Sequence, residues 1–150
     1  MPGKQDVLQM MTGAEAVYLA TMSGDSPRIR ALVNLRRPDL YPGPSQFCAR
    51  AGLTSYFSTS RASGKVRDIL SNPSVSVYYS DPSRTRGIEL RGQTELIDDV
   101  EIKQALWQDE WRIYWPAGRD DPDYVILRLT PVHATGWWGI EPFALEMEQG

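Results

Sequence analysis

Val75-Ser76-Val77-Tyr78-Tyr79, the turn Asp81-Pro82-Ser83, and Ile88-Glu89-Leu90-Arg91-Gly92-Gln93-Thr94-Glu95-Leu96 decide the fold. In the first run Val75, Val77 and Tyr79 alternate with serines and Tyr78. In the last, Ile88, Leu90, Gly92, Thr94 and Leu96 alternate with charged or amide side chains. A period of two sends successive side chains to opposite faces, so both runs read as half-buried strands of one antiparallel hairpin. A second hairpin lies upstream. Val17-Tyr18-Leu19-Ala20-Thr21-Met22 reads as a buried strand, and Ser23-Gly24-Asp25-Ser26-Pro27 reverses the chain. Ile29, Ala31, Val33 and Leu35 then alternate with Arg28, Arg30, Leu32 and Asn34, giving a partner strand with one apolar and one largely polar face.

Further out, Leu53-Thr54-Ser55-Tyr56-Phe57-Ser58 and residues 124–130 read as two more strands. Three short helices are predicted. Residues 4–13 carry Val7, Met10 and Met11 at helical spacing, and residues 62–71 carry Val66, Ile69 and Leu70 before the Asn72-Pro73 break; a third helix runs from about Asp99 to Glu110. Pro38, Pro42, Gly43, Pro44 and Gly52 mark residues 36–52 as a long surface loop able to lie over a ligand, and the acidic tail Glu141 to Gly150 is expected to fray. Six mostly hairpin-connected strands with three helices predict one mainly β (α+β) domain over residues 1–150: an antiparallel barrel with short peripheral helices.

Composition narrows the function. With 150 residues, 41% hydrophobic and 23% charged, the chain has the make-up of a globular domain. A net charge of −3 supplies no broad basic field, which argues against nucleic acid as a partner despite the cluster Arg28, Arg30, Arg36 and Arg37. No apolar run approaches the roughly 18 residues of a membrane span, and the first residues lack a secretory apolar region, so the expectation is a cytoplasmic protein without membrane contact. One cysteine, Cys48, and one histidine, His133, give neither a disulfide framework nor metal-ligand spacing, so no metal is expected.

Ser58-Thr59-Ser60-Arg61-Ala62-Ser63-Gly64-Lys65 is the stretch richest in chemistry, concentrating hydroxyls and two cations where a strand passes into a helix. A helix start offers unpaired N–H groups and a partial positive charge, which suit phosphate; the alternative is that Ser60 or Ser63 is a plain N-cap and the cations are solvated. The glycine spacing of a P-loop is missing. Arg30 would clamp a phosphate bidentately if its strand runs beside that helix start, and is otherwise a surface arginine. Trp107, Trp111, Trp115, Trp137 and Trp138 are dense for this length and read as core or interface residues. Trp137 and Trp138 are adjacent and face opposite ways on a strand, so one needs cover from a subunit or ligand.

From Gly24 to Trp138 the sequence resembles the flavin-binding split barrels related to pyridoxamine 5′-phosphate oxidase, in particular their short general-stress-protein branch. The resemblance rests on Gly24, Pro27, Arg30 and Ala31-Leu32-Val33; on Thr59, Ser63, Lys65 and Asn72-Pro73; on the hairpin from Val75 to Gly92; and on Trp115-Pro116-Ala117-Gly118-Arg119 through Leu129-Thr130-Pro131 to Trp137. It implies a six-stranded split barrel that binds FMN at the interface of a homodimer. Arg30, Ser63 and Lys65, with Gly64 between them, would hold the flavin phosphate. Ser58, Thr59 and the backbone of Ala31, Leu32 and Val33 would line the ring and ribityl chain, and Trp137 would meet the flavin from the partner subunit.

Departures from the family pattern matter as well. Leu35 stands where the oxidases carry a substrate-binding lysine, Gly87 where they carry a flavin-contacting glutamine, and Glu141-Pro142-Phe143-Ala144-Leu145 replaces their arginine and histidine motif after Trp137. Oxidation of pyridoxamine phosphate itself is therefore not expected. The resemblance implies a flavin-dependent oxidoreductase of unassigned substrate and catalytic residues. Its alternatives are a non-catalytic stress protein that stores or senses flavin, and a split barrel using deazaflavin or haem.

Overall fold

The computed structural model describes residues 1–147. Seven antiparallel strands form one curled sheet: β1 (Ala16–Ser23), β2 (Ser26–Val33), β3 (Ser55–Ser60), β4 (Ser74–Asp81), β5 (Arg86–Ile97), β6 (Tyr124–Trp138) and β7 (Glu141–Leu145). Six run in the order β2-β1-β4-β5-β6-β3. Long β6 offers residues 124–129 to β3 and residues 134–138 to β7, while β5 occupies its other edge. The predicted antiparallel split barrel is thus present. Its split lies between β2 and β3, the two ends of the path, which share no ladder among the described residues.

Both predicted hairpins form, with Tyr79 paired to Ile88 and Leu19 to Arg30. Their inward residues Val17, Leu19, Val77, Tyr79, Ile88 and Leu90 are all buried, packed with Val7 and Met11 of α1 (Lys4–Gly13) and Val66 and Ile69 of α3 (Gly64–Ser71). Each such side chain contributes about 1.5–3 kcal/mol by leaving water. The apolar face of β2 does not join them: Ile29 is 71% exposed and Val33 46%, while Arg30 and Leu32 turn partly inward.

Four expectations need correction. Residues 36–52 are not an unstructured loop but contain α2 (Pro42–Ala49). Proline lacks only an N–H that the first helical turn leaves unpaired anyway, so Pro42 starts this helix and does not prevent it. Nor does the whole tail fray. Gly139, at φ +68°, and Ile140 turn the chain so that Trp138 pairs Glu141, and Phe143 is buried against Trp138; residues 148–150 lie outside the described residues. The third strand begins at Ser55, placing Ser58, Thr59 and Ser60 inside a strand. Finally, the third predicted helix stops early: α4 (Val100–Leu106) gives way to a tighter turn at Asp109–Ile113 that carries Trp111 inward.

That turn closes a second core. Leu35, Cys48, Leu106, Trp111, Trp115, Tyr124 and Ile126 pack together, with Tyr41, Phe47 and Tyr56 at the margin. Arg36, 5% exposed, ties α2 to the strand behind it by donating to the carbonyls of Gly52 (2.7 Å), Thr54 (2.8 Å) and Cys48 (3.5 Å). A cation at the C-terminal end of a helix also meets the negative end of its dipole.

Candidate functional site

A cavity of about 520 Å³ opens along the split. β2 contributes Ala31, Leu32 and Val33 to its wall, and β3 contributes Phe57, Ser58, Thr59 and Ser60; Ser63 and Lys65 come from the start of α3, and Trp111, Tyr114 and Trp115 from the chain after α4. The size falls within the roughly 300–1,000 Å³ of small-molecule sites. An edge strand leaves a row of backbone N–H and C=O groups unpaired, so β2 and β3 offer hydrogen-bonding groups to whatever enters the split.

The cavity lining carries two chemically different groups of side chains. In the polar group Lys65 Nζ donates to Thr59 Oγ1 at 2.9 Å, a neutral partner, and no carboxylate pairs with Lys65 among the described residues. Burial, and then the neighbouring Arg30 charge, lowers its pKa from the ordinary lysine value. An anion beside it would relieve both effects. Ser63 occupies the N-cap position of α3 without closing it: its hydroxyl makes no capping bond and lies 3.5 Å from Thr59 Oγ1. Ser63 is thus the N-cap by its backbone but not by its hydroxyl, and the first N–H groups of α3 receive no side-chain cap.

Arg61, the other cation of the stretch, turns away. It donates to Asp98 at 2.8 Å and to the Pro122 carbonyl at 3.1 Å, and Ala62 N–H donates to Asp123, which pins the entry to α3. Arg30 is neither solvated nor free. Its Nη1 donates to Thr21 Oγ1 at 2.7 Å, and its Nη2 stands 3.5 Å from Asp68.

Trp111, Tyr114 and Trp115 supply an aromatic wall. Trp115 lies 6.0 Å from Trp111 and 4.8 Å from Tyr124, ring to ring, and its indole N–H donates to Ser60 Oγ at 3.1 Å. Behind it Ser58 shares a hydrogen bond with Tyr124, whose phenol is pushed up to about 12 by burial. Sequence reasoning singled out these tryptophans as core or interface but did not place them here; nothing in their spacing marks which rings face a cavity.

Of the ten residues singled out from the sequence, Ala31, Leu32, Val33, Ser58, Thr59, Ser63 and Lys65 meet in this one cavity. Gly64 and Arg30 adjoin it. Trp137 does not: it is 53% exposed and borders a separate depression of about 600 Å³ with Tyr78, Glu89 and Phe143. Tyr78 lies over Gly87 there, in the space a side chain on that residue would need. Leu35 is buried in the second core, so no cation replaces the lysine that the oxidases carry. Tyr41, at the start of α2, lies 6.2 Å from Trp111 of the aromatic wall, and none of residues 36–52 lines the cavity. Cys48 belongs to that helix rather than to a loop, buried with its thiol pushed up to about 11.

The class the fold defines is a split barrel with a cationic helix start at its seam. Residues 48–143 match the sequence model of the pyridoxamine 5′-phosphate oxidase like family, and the chain belongs to that family. General stress protein 26 of Bacillus subtilis (strain 168) is 27% identical over 131 residues, covering 85% of this chain and 83% of its own. Among solved structures, a protein related to general stress protein 26 from Clostridium acetobutylicum superposes with a TM-score of 0.73 at 23% identity, covering 97% of both chains. Two further structures share the fold. One, from Nostoc punctiforme PCC 73102, is described as a pyridoxamine 5′-phosphate oxidase-related, FMN binding protein (TM-score 0.62, 18% identity, 94% of this chain and 84% of that one). The other is a heme binding protein from Mycobacterium smegmatis (TM-score 0.65, 16% identity, 97% of this chain and 62% of that one).

Proposed function

We propose that the cavity binds FMN and that the protein is a flavin-dependent oxidoreductase working as a homodimer. The observation that supports this reading is that one cavity is lined by two opposite chemistries: Lys65 and the start of α3, and the aromatic side chains Trp111, Tyr114 and Trp115. A ligand that joins a phosphate to a flat, largely apolar ring system fits that polarity. Lys65, Ser63, Gly64 and Arg30 would take the phosphate; Ser58, Thr59 and the Ala31–Val33 backbone would take the chain and ring edge. Bound flavin supplies hydride and electron transfer, and the protein supplies orientation and exclusion of water. Besides Lys65, Tyr114 is the one titratable side chain on the lining.

Haem is less well served. His133 lies on the exposed face of β6 away from the cavity, and Cys48 is buried on the inner side of α2, which leaves Tyr114 as the one iron ligand of the usual kinds on the lining. Exposed Ile29, Val33, Tyr18 and Trp137 supply the dimer's apolar surface, with Trp137 brought to the partner's flavin. The visible absorption spectrum of purified protein before and after FMN addition tests the cofactor. Steady oxidation of NAD(P)H by the loaded protein separates turnover from storage: saturable FMN binding without any oxidation would make it a flavin store or sensor, and no binding would remove the reading.

A further inference from the structure

The proposed function leaves a buried polar pair unexplained: Thr21 on β1 and Asp68 on α3, 1% and 5% exposed. A carboxylate so placed is costly unless it is paired. Thr21 Oγ1 donates to Asp68 Oδ2 at 2.7 Å, and Arg30 Nη1 donates to the same Thr21 oxygen at 2.7 Å. The direction of this relay is set by chemistry. Arginine has only donors and an ionised carboxylate only acceptors, so the single Thr21 proton goes to Asp68 and a Thr21 lone pair to Arg30. Arg28 Nη1 stands 4.0 Å from the same carboxylate oxygen and 3.6 Å from where a Cβ on Gly64 would lie. Arg28, Arg30 and Lys65 therefore gather at the first turn of α3, with Asp68 as the carboxylate behind them.

We infer that Thr21 and Asp68 are positioning residues, holding Arg30 beside Lys65 so that the site takes the phosphate monoester of its ligand. This rests on the flavin-phosphate reading and goes beyond it by naming what aims the grip and which phosphate it selects. Arg30 spends Nη1 on Thr21 and, at 3.4 Å each, on the Leu19 and Arg28 carbonyls, and one Nη2 hydrogen on Asp68, which leaves the other Nη2 hydrogen and Nε for a ligand, since Nε donates to none of the described residues. Three cations and one carboxylate leave two positive charges, matching the −1.5 to −2 of a phosphate monoester at neutral pH. A phosphodiester carries a single charge and would leave the site under-neutralised.

The test is fluorescence titration of FMN and riboflavin into the wild-type protein and the variants Thr21→Val, Thr21→Ser and Asp68→Asn. Thr21→Val keeps the shape and removes the relay hydroxyl, so FMN affinity falls by about ten- to a hundredfold, the effect of a lost charge-assisted hydrogen bond, while riboflavin affinity holds. Thr21→Ser restores FMN. Asp68→Asn separates positioning from charge, because removing a negative charge would tighten phosphate binding if Asp68 only balanced charge; the expected result is weaker FMN binding. An unchanged or increased FMN-to-riboflavin preference in Thr21→Val overturns the inference, as does equal loss in the valine and serine variants; these decide it even where Asp68→Asn does not fold. Wild-type protein that binds neither flavin overturns the flavin reading and this inference with it, and binding without preference for FMN over riboflavin overturns the phosphate site on which the inference rests.

Discussion

Lys65 concentrates the site's electrostatics, because its half-buried ammonium group stands beside another cation and bonds only to a hydroxyl among the described residues. Lys65→Ala should weaken FMN about ten- to a hundredfold and leave riboflavin unaffected, as measured by parallel fluorescence titrations. The fold should hardly notice, since the variant removes no ion pair to Lys65. A pH dependence follows from the same residue. Its pKa is lowered in the free protein and would rise when a phosphate sits beside it, so binding takes up a proton where Lys65 titrates. FMN affinity should therefore be full below the lowered pKa and fall as pH rises through it, beginning below the ordinary lysine value. At the acid end affinity should rise with the phosphate's second ionisation, near about pH 6. Isothermal titration across that range checks both limbs; the alkaline one should disappear in Lys65→Ala.

At the scale of elements, α2 shows how a buried cation organises chain that local pattern leaves ambiguous. Arg36 holds the carbonyls at both ends of the 48–54 segment, and its Nε is buried without a partner, so its place is set by the carbonyl contacts of its Nη groups and by the Tyr79 ring 5.9 Å away. Arg36→Met keeps the stem and abandons those carbonyls, each costing about 1–3 kcal/mol when left buried and unpaired. The reporter is Cys48. In wild-type protein the thiol is buried and pushed up to about 11, so a disulfide reagent at mildly alkaline pH should react only on denaturation. Native Arg36→Met should react measurably faster; equal rates would mean α2 is held by its apolar contacts alone.

For the whole molecule, the outward face of the sheet sets the expectation of a partner. Ile29 at 71% and Trp137 at 53% exposure are large apolar groups on a face that also carries Tyr18 and Val33. A twofold pairing would bury the same patch on both chains. Sedimentation equilibrium at micromolar concentration should give a dimer, and Ile29→Arg should shift it to monomer while weakening FMN, because the Ala31–Val33 wall of the cavity shares that strand. A monomeric wild-type protein that binds FMN fully would remove both the pairing and the role of Trp137.

The alternation in Val75–Tyr79 and Ile88–Leu96 determined the central hairpin, because period two is a local property of the backbone and needs no other segment to be read. Ser63 and Lys65 were legible for the same reason: a helix start and its charges are neighbours in sequence. Helix α2 was hidden by prolines whose cost depends on their position in the helical turn, and β7 by a tail in which Phe143 gains its burial only from Trp138 opposite. Which tryptophans line the cavity, which face of β2 meets solvent, and how Thr21 and Asp68 meet Arg30 across 9 and 38 residues of sequence were decided by the closing of the sheet. Those facts follow from long-range contact, which local pattern does not encode.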